Sequence, residues 1–363
     1  MTATVLSSAE RVLIFRLGSL GDTVVALPSF HLIARSFPAA ERRVLANLPI
    51  SPKAPSIASV LGDSGLVHGY FRYPPGLRDL PALFALWAAL RRWRPALAIY
   101  LVEPRRPRAM ARDVLFLKAC GIGTVLAVPH GELGRHRPLA GELWESESAR
   151  LARCLAGLGD AALDAPASWD LRLSEAERAA GQTLLAGWPG RGNFIAIGIG
   201  TKMQAKDWGE ENWGSTLARL GQTHRGCGLV AFGSADEADR AQRLAGLWQG
   251  PTLNLCGRTS PREGAAVLAQ ARLFVGHDSG PMHLAAAMGV ACVAVFSARH
   301  KPGIWYPHGR RHRVLYHRTS CFDCGLECCI EEGKRCLGAI APAEVVAAAN
   351  ALLATPAAAE TGR

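Results

Sequence analysis

Phe274-Val-Gly-His-Asp-Ser-Gly-Pro-Met-His-Leu-Ala-Ala-Ala-Met-Gly-Val-Ala-Cys-Val-Ala-Val-Phe296 reads as a strand, a polar turn, a helix and a second strand. Leu273 to Val275 is a short apolar run, and His277, Asp278, Ser279 and Gly280 form the turn after it. Pro281 suits the first helical position, where the N–H it lacks would have no partner. Ser279 and Gly280 therefore stand where free backbone N–H groups and the helix dipole favour an anion, with His283 one turn further in. A phosphate-bearing ligand is the natural occupant of such a turn. An ordinary capped helix in an α/β domain would read the same way.

The alternation continues outward from this stretch. Strands are expected at Phe194–Ile199, Gly228–Phe232, Thr252–Leu255, Leu273–Val275 and Cys292–Phe296, with helices at Glu210–Leu220, Ala235–Trp248, Arg262–Ala271 and Pro281–Met288. A last helix over Pro342–Leu353 precedes a small-residue tail. An earlier series places strands at Arg11–Arg16, Arg43–Leu48, Gly69–Tyr73, Ala96–Val102 and Thr124–Val128. Its helices fall at Asp22–Ser36, where Pro28 bends the helix or marks a late start, and at Pro81–Arg92, Arg108–Ala119 and Leu143–Leu158. Between the series, Ser174 caps a helix reaching Trp188, and Pro189-Gly-Arg-Gly-Asn193 breaks the chain. The expected organisation is an N-terminal domain over 1–175, a linker over 176–192, a C-terminal domain over 193–354 and a frayed tail over 355–363. Two such α/β domains, each with a parallel sheet covered on both faces, would bind ligands in a cleft between the carboxyl ends of their strands.

The 363 residues allow two domains with full cores, and 49% hydrophobic with 20% charged residues is the composition of a globular protein. Lys and Arg number 41 against 30 Asp and Glu, a net charge of +11. That excess fits anionic partners, or an Arg-rich composition with solvated side chains. The segments Arg91-Arg-Trp-Arg94 and Arg105-Arg-Pro-Arg108 lack the motifs of a nucleic-acid reader, so no nucleic-acid partner is expected. The N-terminus has no basic start followed by an apolar stretch. The longest apolar runs are too short for a span of roughly 20 residues. A cytoplasmic protein able to touch the inner membrane surface is expected.

Asp22 follows the first strand, at a turn that Gly18 and Gly21 allow to be tight. Two roles compete for it: general base toward a hydroxyl, or a helix cap whose hydrogen bonds would weaken it as a base. Thr201 and Lys206 follow the first strand of the second series and offer a hydroxyl and a compact cation to a pyrophosphate. Trp208 and Trp213 are expected to pack beneath that loop. Asp236 or Glu237, after the next strand, could accept hydrogen bonds from a ribose diol or simply favour a helix N-terminus. Arg299 and Lys301, after the strand ending at Phe296, would meet phosphate or an acidic acceptor, or be solvated surface charge.

Three motifs occur in order: Leu17-Gly-Ser-Leu-Gly-Asp22 running on to Pro28, Lys206-Asp-Trp-Gly-Glu-Glu-Asn-Trp213, and Asp278-Ser-Gly-Pro-Met-His-Leu-Ala-Ala286. Together they resemble family 9 glycosyltransferases, the bacterial heptosyltransferases of lipopolysaccharide core assembly. The resemblance covers about residues 11–36 and 193–300 with the cysteine-rich tail, while 40–180 match only in general layout. It implies a GT-B fold, two Rossmann-like domains facing across a cleft, and an inverting mechanism. The implied donor is a nucleotide-activated heptose, usually ADP-heptose, and the implied acceptor an anionic glycolipid. By position in these motifs Asp22 is similar to the family's catalytic base and Lys206 to its diphosphate-binding lysine. Thr201 is similar to its phosphate-contacting hydroxyl, and Asp278, Ser279, Gly280 and His283 to its donor-binding turn. Glu237 is similar to its ribose acid. No divalent metal is required for catalysis in such a family, fixed positive charge at Lys206 and the helix end taking its place.

Cys321-x₂-Cys324-x₄-Cys329-x₆-Cys336 sets four thiols in one loop, with Cys328 adjacent. In a cytoplasmic protein this spacing favours a structural, tetrahedral zinc or iron over disulfides, against the alternative of a reduced, metal-free cluster. Many family 9 members look similar here, and one iron-bearing branch glycosylates autotransporter proteins. Two rival functions follow: heptose transfer to a protein acceptor, and a non-catalytic nucleotide-binding module with a metal-dependent interaction loop. A nicotinamide dehydrogenase is disfavoured, because Gly18-Ser-Leu-Gly21 lacks the G-x-G-x-x-G spacing.

Overall fold

The apolar runs of the first half become the strands β1 (Arg11–Phe15), β2 (Glu41–Asn47), β3 (Gly69–Tyr73), β4 (Leu97–Tyr100) and β5 (Val125–Leu126). They form one parallel sheet in the order β3-β2-β1-β4-β5. The structure is a computed structural model and describes residues 9–47, 54–74 and 79–355. The C-terminal end of the strand expected over Arg43–Leu48 and nearly all of the expected tail lie outside these residues. The chain divides into two compact units, one ending at Ser174 and the other beginning at Glu175.

In the first unit, the helix expected over Asp22–Ser36 is two helices, α1 (Leu20–Val25) and α2 (Leu27–Ser36), meeting at Ala26. Pro28 lies in the first turn of α2, where its missing N–H costs nothing; within a continuous helix its ring would strike the preceding turn. The helices α3 (Ile57–Leu61), α4 (Leu80–Trp93), α5 (Pro107–Ala119) and α6 (Glu147–Cys154) complete the unit. Helix α6 is shorter than the expected Leu143–Leu158, because the Ser146 hydroxyl accepts the Ala149 N–H and sets its start.

The second unit begins with α7 (Glu175–Leu184). The helix expected from Ser174 to Trp188, overlapping the linker over 176–192, thus belongs to the second unit and packs on α10 (Pro261–Leu268). A side chain at Gly181 would strike Ala266, and Arg262 donates to both carboxylate oxygens of Glu177 at 2.5 and 2.9 Å. The second sheet holds β6 (Phe194–Gly198), β7 (Gly228–Ala231), β8 (Thr252–Asn254), β9 (Leu273–His277), β10 (Cys292–Phe296) and β11 (His312–Tyr316). All pair in parallel, in the order β11-β10-β9-β6-β7-β8. Every residue of β6, β9 and β10 is buried, as central parallel strands require. The remaining helices are α8 (Glu210–Thr223), α9 (Ala238–Ala245), α11 (Gly280–Ala287), α12 (Arg335–Gly338) and α13 (Pro342–Ala354). Residues 235–237, expected as helix, form a separate turn ahead of α9.

Each sheet reverses its direction of growth once. In the first unit the chain builds outward from β1 through β2 to β3, then returns to lay β4 on the other side of β1. In the second it builds from β6 through β7 to β8, then returns to lay β9 beside β6. Loops leaving the carboxyl ends of the two central strands diverge there and leave a crevice. The expected α/β class with two Rossmann-like units, the architecture of GT-B proteins, is what the structure has. No helix among the described residues is long and apolar enough to cross a membrane.

Candidate active site

The second unit's crevice lies between the ends of β6 and β9, and the residues singled out in the sequence gather around it. Asp278 and Ser279 follow β9, and Ser279 is the N-cap of α11. The Lys206 ammonium reaches across from the loop after β6 to Asp278 Oδ2 at 2.6 Å. His283, one turn into α11, has Nε2 4.0 Å from Asp278 Oδ1. Burial pushes the Asp278 carboxyl up, but the charges of Lys206 and then His283 outweigh it and hold the carboxyl below its usual range. The Ser279 hydroxyl oxygen is shielded from solvent and has no hydrogen-bond partner among the described residues. A shielded, unbonded hydroxyl at a helix N-terminus, beside a lysine, fits an anionic group.

Thr201 follows β6, and its hydroxyl lies 3.4 Å from the Met203 N–H. Glu237 folds over the same strand end: its carboxylate accepts the Ser234 N–H at 2.9 Å and lies so close to Gly200 that any Cβ there would collide with it. The helix-start role weighed for Glu237 is therefore realised at its own turn.

His277 has a part that its sequence context did not signal. It is fully buried on β9, and its Nε2 accepts both the Trp208 N–H at 3.0 Å and the Trp213 indole N–H at 3.1 Å. Two donors on one nitrogen require the ring proton to sit on Nδ1. Burial drives this ring down to about 4, so it is neutral at pH 7. His277 thereby ties the Lys206 loop to β9, and both tryptophans are buried beneath that loop as expected.

Arg299, expected to meet phosphate or an acidic acceptor, is buried and holds main chain instead. Its guanidinium donates to Leu326 O at 2.7 Å and Gly325 O at 2.8 Å, and Nη1 lies 2.6 Å from His300 Nε2. Burial and the Arg299 charge lower His300 to about 4, so its neutral ring can accept. Lys301 lies 3.6 Å from Asp323. Arg299 therefore faces the cysteine loop, whereas Lys301, beside Asp323, also lines a cavity with Asp278 and His300. Cys321, Cys324, Cys329 and Cys336 line one cavity with Ala205, Ser297 and Arg299. The Cys336 thiol is raised by burial, with Cys321 and Cys329 adding to the rise. Among the described residues no three His, Cys, Asp or Glu side chains are drawn together as a set that could hold a metal ion. The thiols are the right chemistry for a tetrahedral site and share a cavity, but ligand geometry is not formed.

In the first unit the crevice lies between the ends of β1 and β4. Gly18 adopts φ +129°, and a Cβ there would strike the Asp22 side chain, so glycine is required twice over. Asp22 lies at the third position of α1, and its Oδ2 accepts the Ser19 N–H at 2.7 Å and the Ser19 hydroxyl at 3.3 Å. The capping role is thus present in the structure. Gly21 lies inside α1. Arg16 is almost wholly buried and donates to Leu101 O and to Asp22 O, both at 2.6 Å. Behind it Arg150 pairs with Glu147 at 2.6 Å, and Glu147 lies 3.9 Å from Arg16.

The family model for glycosyltransferase family 9 (heptosyltransferase) matches residues 148–334, more than half of the chain. The chain belongs to glycosyltransferase family 9. The match takes in the whole crevice of the second unit and leaves Asp22 outside it. Lipopolysaccharide heptosyltransferase 1 of Pseudomonas aeruginosa is 34% identical over 141 residues, 38% of this chain and 37% of that protein. The chain therefore matches well under half the length of that family relative. Among solved family structures, E. coli ADP-heptose lps heptosyltransferase II superposes with a TM-score of 0.65 at 22% identity, over 94% of this chain and 98% of that one. The iron-containing dodecameric glycosyltransferase TibC of enterotoxigenic E. coli superposes with a TM-score of 0.50 at 15% identity, over 96% of this chain and 77% of that one.

Proposed function

We propose that this family 9 protein is an inverting glycosyltransferase that moves a heptose from a nucleotide diphosphate, ADP-heptose being the leading donor, to a hydroxyl of an anionic lipopolysaccharide core acceptor. The observation that carries the reading is the Lys206–Asp278 pair at 2.6 Å beside the orphan Ser279 hydroxyl. In this reading the donor diphosphate rests on Lys206, Thr201 and the α11 N-terminus formed by Ser279 and Gly280, with Asp278 and His283 orienting it. Glu237 meets the ribose. As the sugar–oxygen bond breaks, negative charge grows on the departing diphosphate, and Lys206 and the helix N–H groups oppose it without a divalent ion. Asp22 takes the acceptor's proton as its oxygen attacks the anomeric carbon. The net charge of +11 suits an anionic acceptor at the cytoplasmic face of the inner membrane.

The cysteine loop forms a separate part of the proposal. Its four thiols would hold one structural zinc or iron, a reading supported by their shared cavity and by the iron in the TibC structure. The decisive experiment for the chemistry is Asp22→Asn. ADP release from ADP-heptose, with heptose-free lipopolysaccharide as acceptor, should fall at least ~10²-fold, the usual worth of a general base. ADP binding should stay unchanged. Turnover near wild type would eliminate Asp22 as the base.

A further inference from the structure

We propose that Glu103 is the second carboxyl of the acceptor site and takes over from Asp22 the proton that leaves the acceptor hydroxyl. The inference rests on the reading of Asp22 as the base, and it concerns where the proton goes after Asp22. Asp22 Oδ2 accepts two hydrogen bonds from Ser19, so Oδ1 is the oxygen left to take the acceptor's proton. A second carboxyl at the same crevice gives that proton a place to come to rest.

The topology supplies that neighbour. Strands β1 and β4 are adjacent and parallel, with Phe15 opposite Tyr100, and the sheet reverses its growth between them. Asp22 follows β1 and Glu103 follows β4, so both carboxyls belong to loops that diverge at the same crevice. Arg16 clamps the two loops together through Leu101 O and Asp22 O. Glu103 makes no hydrogen bond or ion pair with any described residue, although it is half-buried. The charges that face it are the carboxylates of Asp22 in α1 and Glu147 in α6, and the guanidiniums of Arg16 at the end of β1 and Arg150 in α6. Burial first, then the two carboxylates, push Glu103 up to about 7 against the opposing arginines. A carboxyl in that range holds a proton readily and returns it to water at neutral pH.

The step balances. The acceptor O–H bond breaks, the acceptor oxygen bonds to the anomeric carbon, and the bond from that carbon to the phosphate oxygen breaks. Its electron pair leaves with the nucleoside diphosphate. The proton passes to Asp22, then to Glu103, and from there to solvent.

The test is the pH profile of kcat/KM for Glu103→Gln, read as ADP release from ADP-heptose with heptose-free lipopolysaccharide. Wild type should show a rising limb near pH 7. Glu103→Gln should lose that limb or move it by at least one pH unit, and lose at least ten-fold in kcat at pH 8, with ADP affinity unchanged. A rate and profile that superpose on wild type would overturn the inference. Should Glu103→Gln bind ADP less tightly than wild type, Glu103→Asp carries the test. Retaining a carboxyl, it should keep the limb, and losing the limb would overturn the inference. A dead Asp22→Asn beside an unaltered Glu103→Gln sinks this inference alone, whereas an active Asp22→Asn sinks the reading on which it rests.

Discussion

Lys206 and Asp278 depend on each other. A carboxylate as buried as Asp278 is costly unless paired, and the ammonium 2.6 Å away is what keeps it charged. Lys206→Met would leave that carboxylate buried without its main partner. Urea unfolding near neutral pH should report a loss of about 3 kcal/mol, the usual cost of breaking a buried pair from one side. The sign of the pH dependence follows from the direction of the shift. A carboxyl held below its ordinary value contributes stability that is present above that value and lost as pH falls through the lowered one. The gap between wild type and Lys206→Met should therefore be widest at neutral pH and close on acidification. Unfolding curves from pH 7 down to pH 3 check this, and a constant gap would mean that Asp278 is not the partner that matters. On the proposed donor site, ADP affinity should fall by ~10-fold or more in the same variant, since that site would lose one charge-assisted contact to the diphosphate.

At the scale of the element, the loop carrying Cys321 to Cys336 lies against the segment carrying Lys206. Ala205 N–H donates to Glu327 O at 3.0 Å, Cys329 N–H to Gln204 Oε1 at 2.8 Å, and the Lys334 ammonium to Asp207 O at 2.8 Å. Arg299 fastens the other side of the loop. Whatever orders the thiols thus also orders the backbone on either side of Lys206. Protein purified without chelators should contain close to one zinc or iron per chain by elemental analysis. Cys329→Ser should lose that metal, and the exchange of the Ala205 amide should quicken with it. Metal-free wild-type protein from a gentle preparation would count against a metal centre. Sequence spacing alone brought these cysteines to notice. Their position over the Lys206 segment was not legible, because residues about 125 apart meet only once the chain has returned past β10.

For the molecule as a whole, the buried parallel strands were legible because burial on both faces leaves a continuous apolar run, as in Phe194–Gly198 and Cys292–Phe296. Strand β11, His312-Arg-Val-Leu-Tyr316, was missed because an edge strand with half-exposed polar residues carries no such run. The candidate residues in glycine-bearing turns stood out in the sequence, whereas Glu103 did not: it stands in no motif, and the role proposed for it comes only from the pairing of β4 with β1. The first unit ends within a residue of the expected 175, but the stretch read as a linker belongs to the second unit. Pro189-Gly-Arg-Gly-Asn193 is the more conspicuous break, but α7 lies before it and packs on α10 of the second unit. That packing makes the boundary testable. A chain from Glu175 to the C-terminus keeps α7, the Glu177–Arg262 pair and the close contact of Gly181 with Ala266. It should unfold in one cooperative transition and bind ADP like the full chain. A chain starting at Asn193 uncovers that face of α10, exposing apolar surface that α7 had covered and taking Glu177 from Arg262. It should melt well below the longer fragment, on the order of 5–10 °C lower for a domain of this size. Equal melting temperatures for the two fragments would show that α7 contributes nothing to the second unit and that the break at Pro189 is the true boundary.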